Sequence, residues 1–232
     1  MSSKRGPLWY RKAKRRLERI TTAAVEFAIP AMLHRSIRNS LLNNLDFNII
    51  QLNGFKKGLL PRIAFISDLH ADFFVSDKEL QTIAKRVMEY KPDLICFGGD
   101  LINQYLNELG AVGRMIKKLS APLGIYAVPG NHDYVKTGEL SSWCKRLEKC
   151  GVKVLCNEGL RIEYGGSNFW LAGVDDATEG VQDLKAALRG RIKYEPVILL
   201  SHHPDIFYHA SNAGVTLQLS GHTHGGQVAI GG

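Results

Sequence analysis

The segment Gly221-His222-Thr223-His224-Gly225-Gly226 sets two imidazoles one residue apart, between glycines, at the end of the apolar run Val215 to Leu219. Side chains at i and i+2 of an extended strand point the same way, so at a strand tip both imidazoles can reach one site. The glycines allow a sharp turn and a close approach of backbone to a small ion. Taken alone, His-x-His fits two ordinary loop histidines equally well. Four more apolar runs, however, end in residues of the same kind. Asp68 and His70 follow Arg62 to Ile66, Asp100 follows Asp93 to Phe97, Asn131 and His132 follow Leu123 to Val128, and His202 follows Pro196 to Leu200. Any one of these is as well explained by a capping Asp or a loop His; the coincidence at five run ends is not.

The pooled donors are carboxylate, amide and imidazole, with no thiolate, a mixture that suits Mn²⁺, Fe or Zn²⁺. A carboxylate can bridge two ions about 3.5–4 Å apart, and such a pair clamps a phosphoryl oxygen. It also turns a bridging water into hydroxide by moving its pKa from about 15.7 toward 7. What the protein must then add is a proton donor for the leaving alkoxide, and histidine suits that task. His202 and His203 compete for one ligand place; His202 lies nearer the strand end, and His203 precedes Pro204.

The elements that must position these groups alternate between strand and helix. Strand patterns cover Arg62 to Ile66, Asp93 to Phe97, Leu123 to Val128, Val152 to Leu155, Pro196 to Leu200 and the run into His222. Leu160 to Tyr164 and Asn168 to Val174 flank Gly165-Gly166 and read as a hairpin. Helical spacing marks Lys78 to Tyr90, Val112 to Leu119, Glu139 to Lys149 and Val181 to Leu188. The class is α/β, and ligand-type residues just past strand C-termini lie where such sheets bind ligands.

Together, Asp68-x-His70, Gly99-Asp100, Gly130-Asn131-His132-Asp133, His202 and Gly221-His222-x-His224 resemble the five motifs of calcineurin-like metallophosphoesterases. The resemblance runs in order from about Arg62 to Val228. It implies a two-sheet β-sandwich flanked by helices and two divalent metal ions, Mn²⁺ foremost. It further implies that Asp68, His70 and His224 hold one ion and that Asn131, His202 and His222 hold the other. Asp100 would bridge them, His132 would be the general acid or a stabiliser of transition-state charge, and Asp133 would orient His132. The expected domains are 1–60, a basic amphipathic segment, and 61–232, the metallophosphoesterase domain. Family members usually continue some tens of residues past Gly-His-x-His, so a domain ending at Gly232 is expected to be C-terminally short of them.

Gly173-Val174-Asp175-Asp176, Ser201-His202-His203-Pro204-Asp205 and the segment from Gly221 to Val228 look like a bacterial branch with membrane-associated N-terminal segments. Some members of that branch are UDP-2,3-diacylglucosamine diphosphatases of lipid A synthesis. Charge is distributed consistently with this. The chain of 232 residues has a net charge of +8, yet residues 1–60 hold 12 Lys/Arg against 3 Asp/Glu, and the remainder holds 18 against 19. Within 8–29, Tyr10, Ala13, Leu17, Ile20, Ala24 and Phe27 share one helical face, and basic residues crowd the first half. Such a helix either lies on an anionic membrane surface or packs on its own domain. The apolar stretch Ile20 to Leu33 is too short for a span and contains Glu26.

Four cysteines with no CxxC pair favour a reducing compartment, hence a cytoplasmic location, peripheral on the inner membrane face. The leading expectation is a two-metal hydrolase of a phosphate ester or pyrophosphate in a small-molecule or lipid substrate. The alternatives are the lipid A diphosphatase as the specific activity, or a metal-binding scaffold without turnover. A near-neutral body disfavours a nucleic-acid partner.

Overall fold

The computed structural model describes residues 61–71, 75–134 and 140–224. The N-terminal helix expected over 8–29 and the glycines after His224 lie outside these residues.

The first half builds a parallel sheet. Strands β1 (Ile63–Ile66), β2 (Leu94–Phe97), β3 (Ile125–Ala127) and β4 (Val152–Val154) lie in that order. They are joined through helices α1 (Asp77–Glu89), α2 (Leu109–Ile116) and α3 (Leu140–Glu148). The second half builds another four-stranded sheet from β5 (Glu158–Tyr164), β6 (Ser167–Gly173), β7 (Val197–Ser201) and β8 (Leu217–Ser220). Here β5 and β6 are antiparallel, while β6, β7 and β8 run parallel. Two short helices, α4 (Leu184–Ala187) and α5 (Phe207–Asn212), belong to this half.

Residue alternation along the strands explains the layering. Ile95 and Phe97 of β2 join a core with Leu80 and Ala84 of α1, Val112 and Met115 of α2 and Trp143 of α3. Leu94 and Cys96, on the other face of the same strand, join Phe169 and Leu171 of β6 and Ile198 and Leu200 of β7 between the sheets. Trp170, Ala172, Val197 and Leu199 face outward again and pack with Ala187 of α4 and Ala210 of α5. A strand with both faces covered shows continuous apolar sequence, which is why β2 and β7 are buried at every position. The result is the expected α/β sandwich of two sheets between helices.

Local chemistry sets the boundaries. Ser76 N–H donates to Glu79 Oε2 at 2.7 Å and starts α1 one residue ahead of the expected helix. Gly165 and Gly166 have φ of 57° and 73°, the pair of positive values that a two-residue type I′ hairpin demands. The third strand is shorter than its apolar run because Gly124 N–H closes a turn on the Ala121 carbonyl at 3.0 Å. Among the described residues no helix is long and apolar enough to cross a membrane.

Arg161 on β5 grips Glu195, two residues ahead of β7, in a two-pronged pair (Nε–Oε1 2.7 Å, Nη2–Oε2 3.3 Å), and the Ile192 N–H adds a third bond at 3.0 Å. Burial opposes the charged carboxylate, but these bonds and the guanidinium charge outweigh it and hold Glu195 below the usual range. A depressed folded-state pKa contributes stability above the unfolded value, about 4.3, and loses it as pH falls through the folded value. Urea unfolding from about pH 6 down to about pH 3 is therefore expected to show wild type losing its advantage over Glu195→Gln as acid is added. A constant gap between the two midpoints would contradict this account.

Candidate metal centre

Strands β1, β2 and β3 are parallel, so their C-terminal ends share one edge of the first sheet; β7 and β8 do the same in the second. The loops leaving these ends are tied down by backbone bonds that prolong the strand pairing. Asp68 N–H donates to the Gly99 carbonyl at 3.0 Å, His70 N–H to that of Asp100 at 3.0 Å, and Gly221 N–H to that of His202 at 3.1 Å.

The local geometry differs from the strand-tip picture in one respect. Asp68, His70, Asp100, His222 and His224 are all left-handed, with φ of 57°, 40°, 52°, 69° and 49°. They lie past the strands and are not extended, so the i, i+2 rule does not aim them. Each such conformation costs a non-glycine residue roughly 1–2 kcal/mol. The surrounding bonds hold them there: the Asp68 carboxylate, for instance, accepts the His222 N–H at 3.0 and 3.1 Å.

The side chains converge. Asp100 is 2% exposed. Its Oδ1 accepts the His132 N–H at 2.8 Å, and its Oδ2 lies 3.2 Å from His202 Nε2 and 3.7 Å from His70 Nε2. Asp68 Oδ1 is 3.6 Å from His224 Nε2. Four sets of residues each bring ligand atoms within 4.8 Å of one another: Asp68/His70/His224, His70/Asp100/His132, Asp68/Asp100/His202 and His202/His203/His222. Shared members chain these sets into one constellation.

Several features fit divalent cations. His70 Nε2 faces His224 Nε2 at 3.3 Å, and His222 Nδ1 faces His202 Nε2 at 3.3 Å. Two nitrogens each about 2.1 Å from a shared tetrahedral ion stand roughly 3.4 Å apart, so both pairs have the spacing of co-ligands. Asn131 Oδ1 is buried and accepts no hydrogen bond among the described residues. A carbonyl oxygen in that condition costs free energy unless something electropositive meets it. His202 Nδ1 lies 2.8 Å from the Gly98 carbonyl. A carbonyl cannot donate, so Nδ1 carries the proton and Nε2 is the donor atom for a metal.

Electrostatics favour the same reading at His70 and His222, whereas His202 must give up an Nε2 proton before it can ligate. Burial, reinforced by neighbouring imidazoles and opposed by Asp100, lowers the His70 pKa to about 3. Burial with His203 and His202 lowers that of His222 to about 4. Both rings are thus neutral lone-pair donors at pH 7. Burial would also depress His202, but its bond and attraction to Asp100 prevail and lift it to about 9. Asp100 itself is held below the usual carboxylate range, burial being outweighed by the His202 bond and the adjacent imidazoles.

Asp133 does something other than orient His132. Its carboxylate accepts the backbone N–H groups of Leu101 (3.0 Å), Ile102 (3.3 Å) and Gly130 (3.0 Å), whereas His132 Nδ1 bonds the Asn103 carbonyl at 2.7 Å. Burial and the Asp100 charge raise Asp133 to about 8 despite those donors. Its contribution is to the loops that carry Asp100 and Asn131.

His203 stands with His202 and His222, its ligand atom within 4.8 Å of theirs. Its Nε2 lies 3.1 Å from Asp176 Oδ2, and its ring packs on His222 at 3.8 Å between centroids. Asp176 is fully buried and caps the following turn through Thr178 N and Glu179 N at 2.8 and 2.7 Å. Sequence reasoning quoted Asp176 without a role, and it missed Asn103 altogether, because a backbone carbonyl leaves no mark on residue identity.

Comparison with known proteins adds an independent finding. The family model described as calcineurin-like phosphoesterase matches residues 61–226. A zebrafish (Danio rerio) transmembrane protein with metallophosphoesterase domain is 31% identical over 179 residues, 72% of this chain and 41% of that protein. Two Bacillus subtilis (strain 168) proteins called uncharacterized metallophosphoesterases are similar too. YkuE is 33% identical over 185 residues (75% of this chain, 64% of its own length), and YkoQ is 31% identical over 204 residues (84% and 73%). This chain spans about two fifths of the length of the first of these relatives.

A Cβ on Gly130 would collide with the Asp100 carboxylate and come within 2.5 Å of Asp100 N. Gly130→Ala is therefore expected to weaken Mn²⁺ binding by roughly 10–100-fold in titration calorimetry, as displaced supporting groups do, while the far-UV spectrum stays native. Unchanged affinity would show that Asp100 does not take part.

Proposed function

Since the chain belongs to the calcineurin-like phosphoesterase family, we propose that it is a phosphoester hydrolase dependent on two divalent cations. The observation that carries this reading is the convergence of carboxylate and imidazole donors from five separate loops on one constellation. Asp68, His70 and His224 hold one cation, Asn131, His202 and His222 the other, and Asp100 lies between the two sets. Mn²⁺ is our assignment, with Fe and Zn²⁺ suited to the same thiolate-free donors. Such a pair supplies Lewis acidity toward phosphoryl oxygens and a nucleophilic water near neutral pH.

The chain's own groups do the rest. His132 is fixed with its Nδ1 proton on the Asn103 carbonyl, which leaves Nε2 to take up a second proton and, from the imidazolium so formed, pass it to the leaving oxygen. Asp100, buried and ionised, attracts both cations. Asp68 adds a second carboxylate and holds the His222 backbone in place. Asp133 keeps the two loops around Asp100 in register through its three backbone bonds.

The bond cleaved is a phosphodiester or pyrophosphate link. The basic sequence of residues 1–60, with 12 Lys/Arg against 3 Asp/Glu, favours an amphiphilic substrate at an anionic membrane surface. UDP-2,3-diacylglucosamine is the specific candidate, and the protein would then work on the cytoplasmic face.

Chelator-treated protein is expected to be inactive toward bis-(p-nitrophenyl) phosphate and to recover with Mn²⁺, whereas Asp100→Asn recovers nothing. With an alkyl phosphodiester, whose leaving group needs a proton, His132→Ala should lower kcat by about 10²–10⁴ and leave Mn²⁺ affinity intact. Metal binding with no turnover above buffer, on these substrates and on UDP-2,3-diacylglucosamine, would identify a scaffold.

A further inference from the structure

We propose that Glu108 is a positioning residue for His132, acting through a single peptide plane; this rests on the hydrolytic reading above only for its kinetic consequence. Glu108 lies in the 3₁₀ turn Leu106–Glu108 that leads into α2, outside the metal motifs, and the residue is buried (7% exposed). Its Oε2 accepts the N–H of Asn103 at 2.7 Å and the N–H of Gln104 at 2.9 Å. The Asn103 carbonyl accepts the His132 Nδ1 proton at 2.7 Å.

The carbonyl of Asn103 and the N–H of Gln104 belong to one planar, trans peptide unit, so they point in opposite directions and cannot be reoriented separately. By anchoring the N–H, Glu108 fixes where the carbonyl aims. The two preceding amides are anchored likewise, Leu101 and Ile102 donating to Asp133. Four consecutive N–H groups after β2 are thus divided between two buried carboxylates. Asp133 orients the half nearer Asp100, and Glu108 orients the half that touches His132.

The consequence is a defined tautomer. With the carbonyl in place, the His132 proton stays on Nδ1 and Nε2 is the nitrogen left for proton transfer; the ring stands perpendicular to that of His70, 4.7 Å away between centroids. A negative charge behind the peptide also polarises its carbonyl, which strengthens the bond to an imidazole that becomes cationic. Without Glu108, the buried Asn103 amide and the half-buried Gln104 amide lose their acceptor, the peptide rotates, and His132 is free to exchange tautomers.

The test uses the full chain with Mn²⁺ for kinetics and ¹⁵N-histidine NMR of the metal-free chain for the tautomer. Wild type and Glu108→Gln, which keeps an acceptor oxygen at the same reach, are expected to show the Nδ1–H form of His132. Glu108→Ala and Glu108→Asp, whose acceptor is missing or retracted, are expected to show mixed tautomers. In the same two variants kcat falls roughly 10–100-fold for an alkyl phosphodiester, part of a general acid's full contribution. It stays near wild type for a p-nitrophenyl ester, and KM and Mn²⁺ affinity do not change. An unaltered His132 spectrum in Glu108→Ala or Glu108→Asp, or equal losses with both leaving groups, overturns the proposal. If wild type hydrolyses neither ester, the hydrolytic reading fails, and the NMR comparison alone decides the role of Glu108.

Discussion

A carboxylate kept ionised in a nearly dry pocket must be matched on every side, and the Asp100 side chain is where this molecule meets that demand. One oxygen takes a backbone N–H from the His132 loop; the other faces the His202 and His70 rings. Those contacts come from three different loops. If any one moved, a buried negative charge would lose a partner, at a cost of a few kcal/mol. Asp100 therefore locks the loops to one another as firmly as it prepares the site for cations.

That demand explains why the fold is a sandwich and not a single sheet. The first sheet delivers Asp68, His70, Asp100 and His132, and the second delivers His202, His222 and His224. Their meeting requires a fixed offset between the two strand edges. The core of Leu94, Cys96, Phe169, Leu171, Ile198 and Leu200 supplies it, because interdigitated side chains at crystalline density resist sliding. Left-handed backbone at five of the site residues is the local counterpart. A loop that turns immediately after its strand keeps the donor atoms close to the sheet edge.

Acids buried or half-buried recur as the fasteners. Asp68, Asp133, Glu108 and Asp176 each accept backbone N–H groups from loops around the centre. The arrangement satisfies amides that irregular backbone would otherwise leave unpaired. In Asp68, a ligand-type carboxylate that also holds the His222 backbone, both tasks fall to one group.

The amino-acid sequence by itself determined the alternation of strand and helix, the hairpin at Gly165-Gly166 and the identity of the metal-type donors, since these follow from short-range periodicity and residue chemistry. It offered His202 and His203 as rivals for one ligand place, and the structure brings ligand atoms of both close to His222. Only the tertiary structure decided that Asp133 serves backbone amides and not the His132 ring, that Asp176 meets His203, and that Glu108 reaches His132 through the peptide after Asn103. Those relations join residues by way of backbone atoms, which every residue shares. They depend on where loops from different strands come to rest, and no pattern of side-chain types along the chain encodes that.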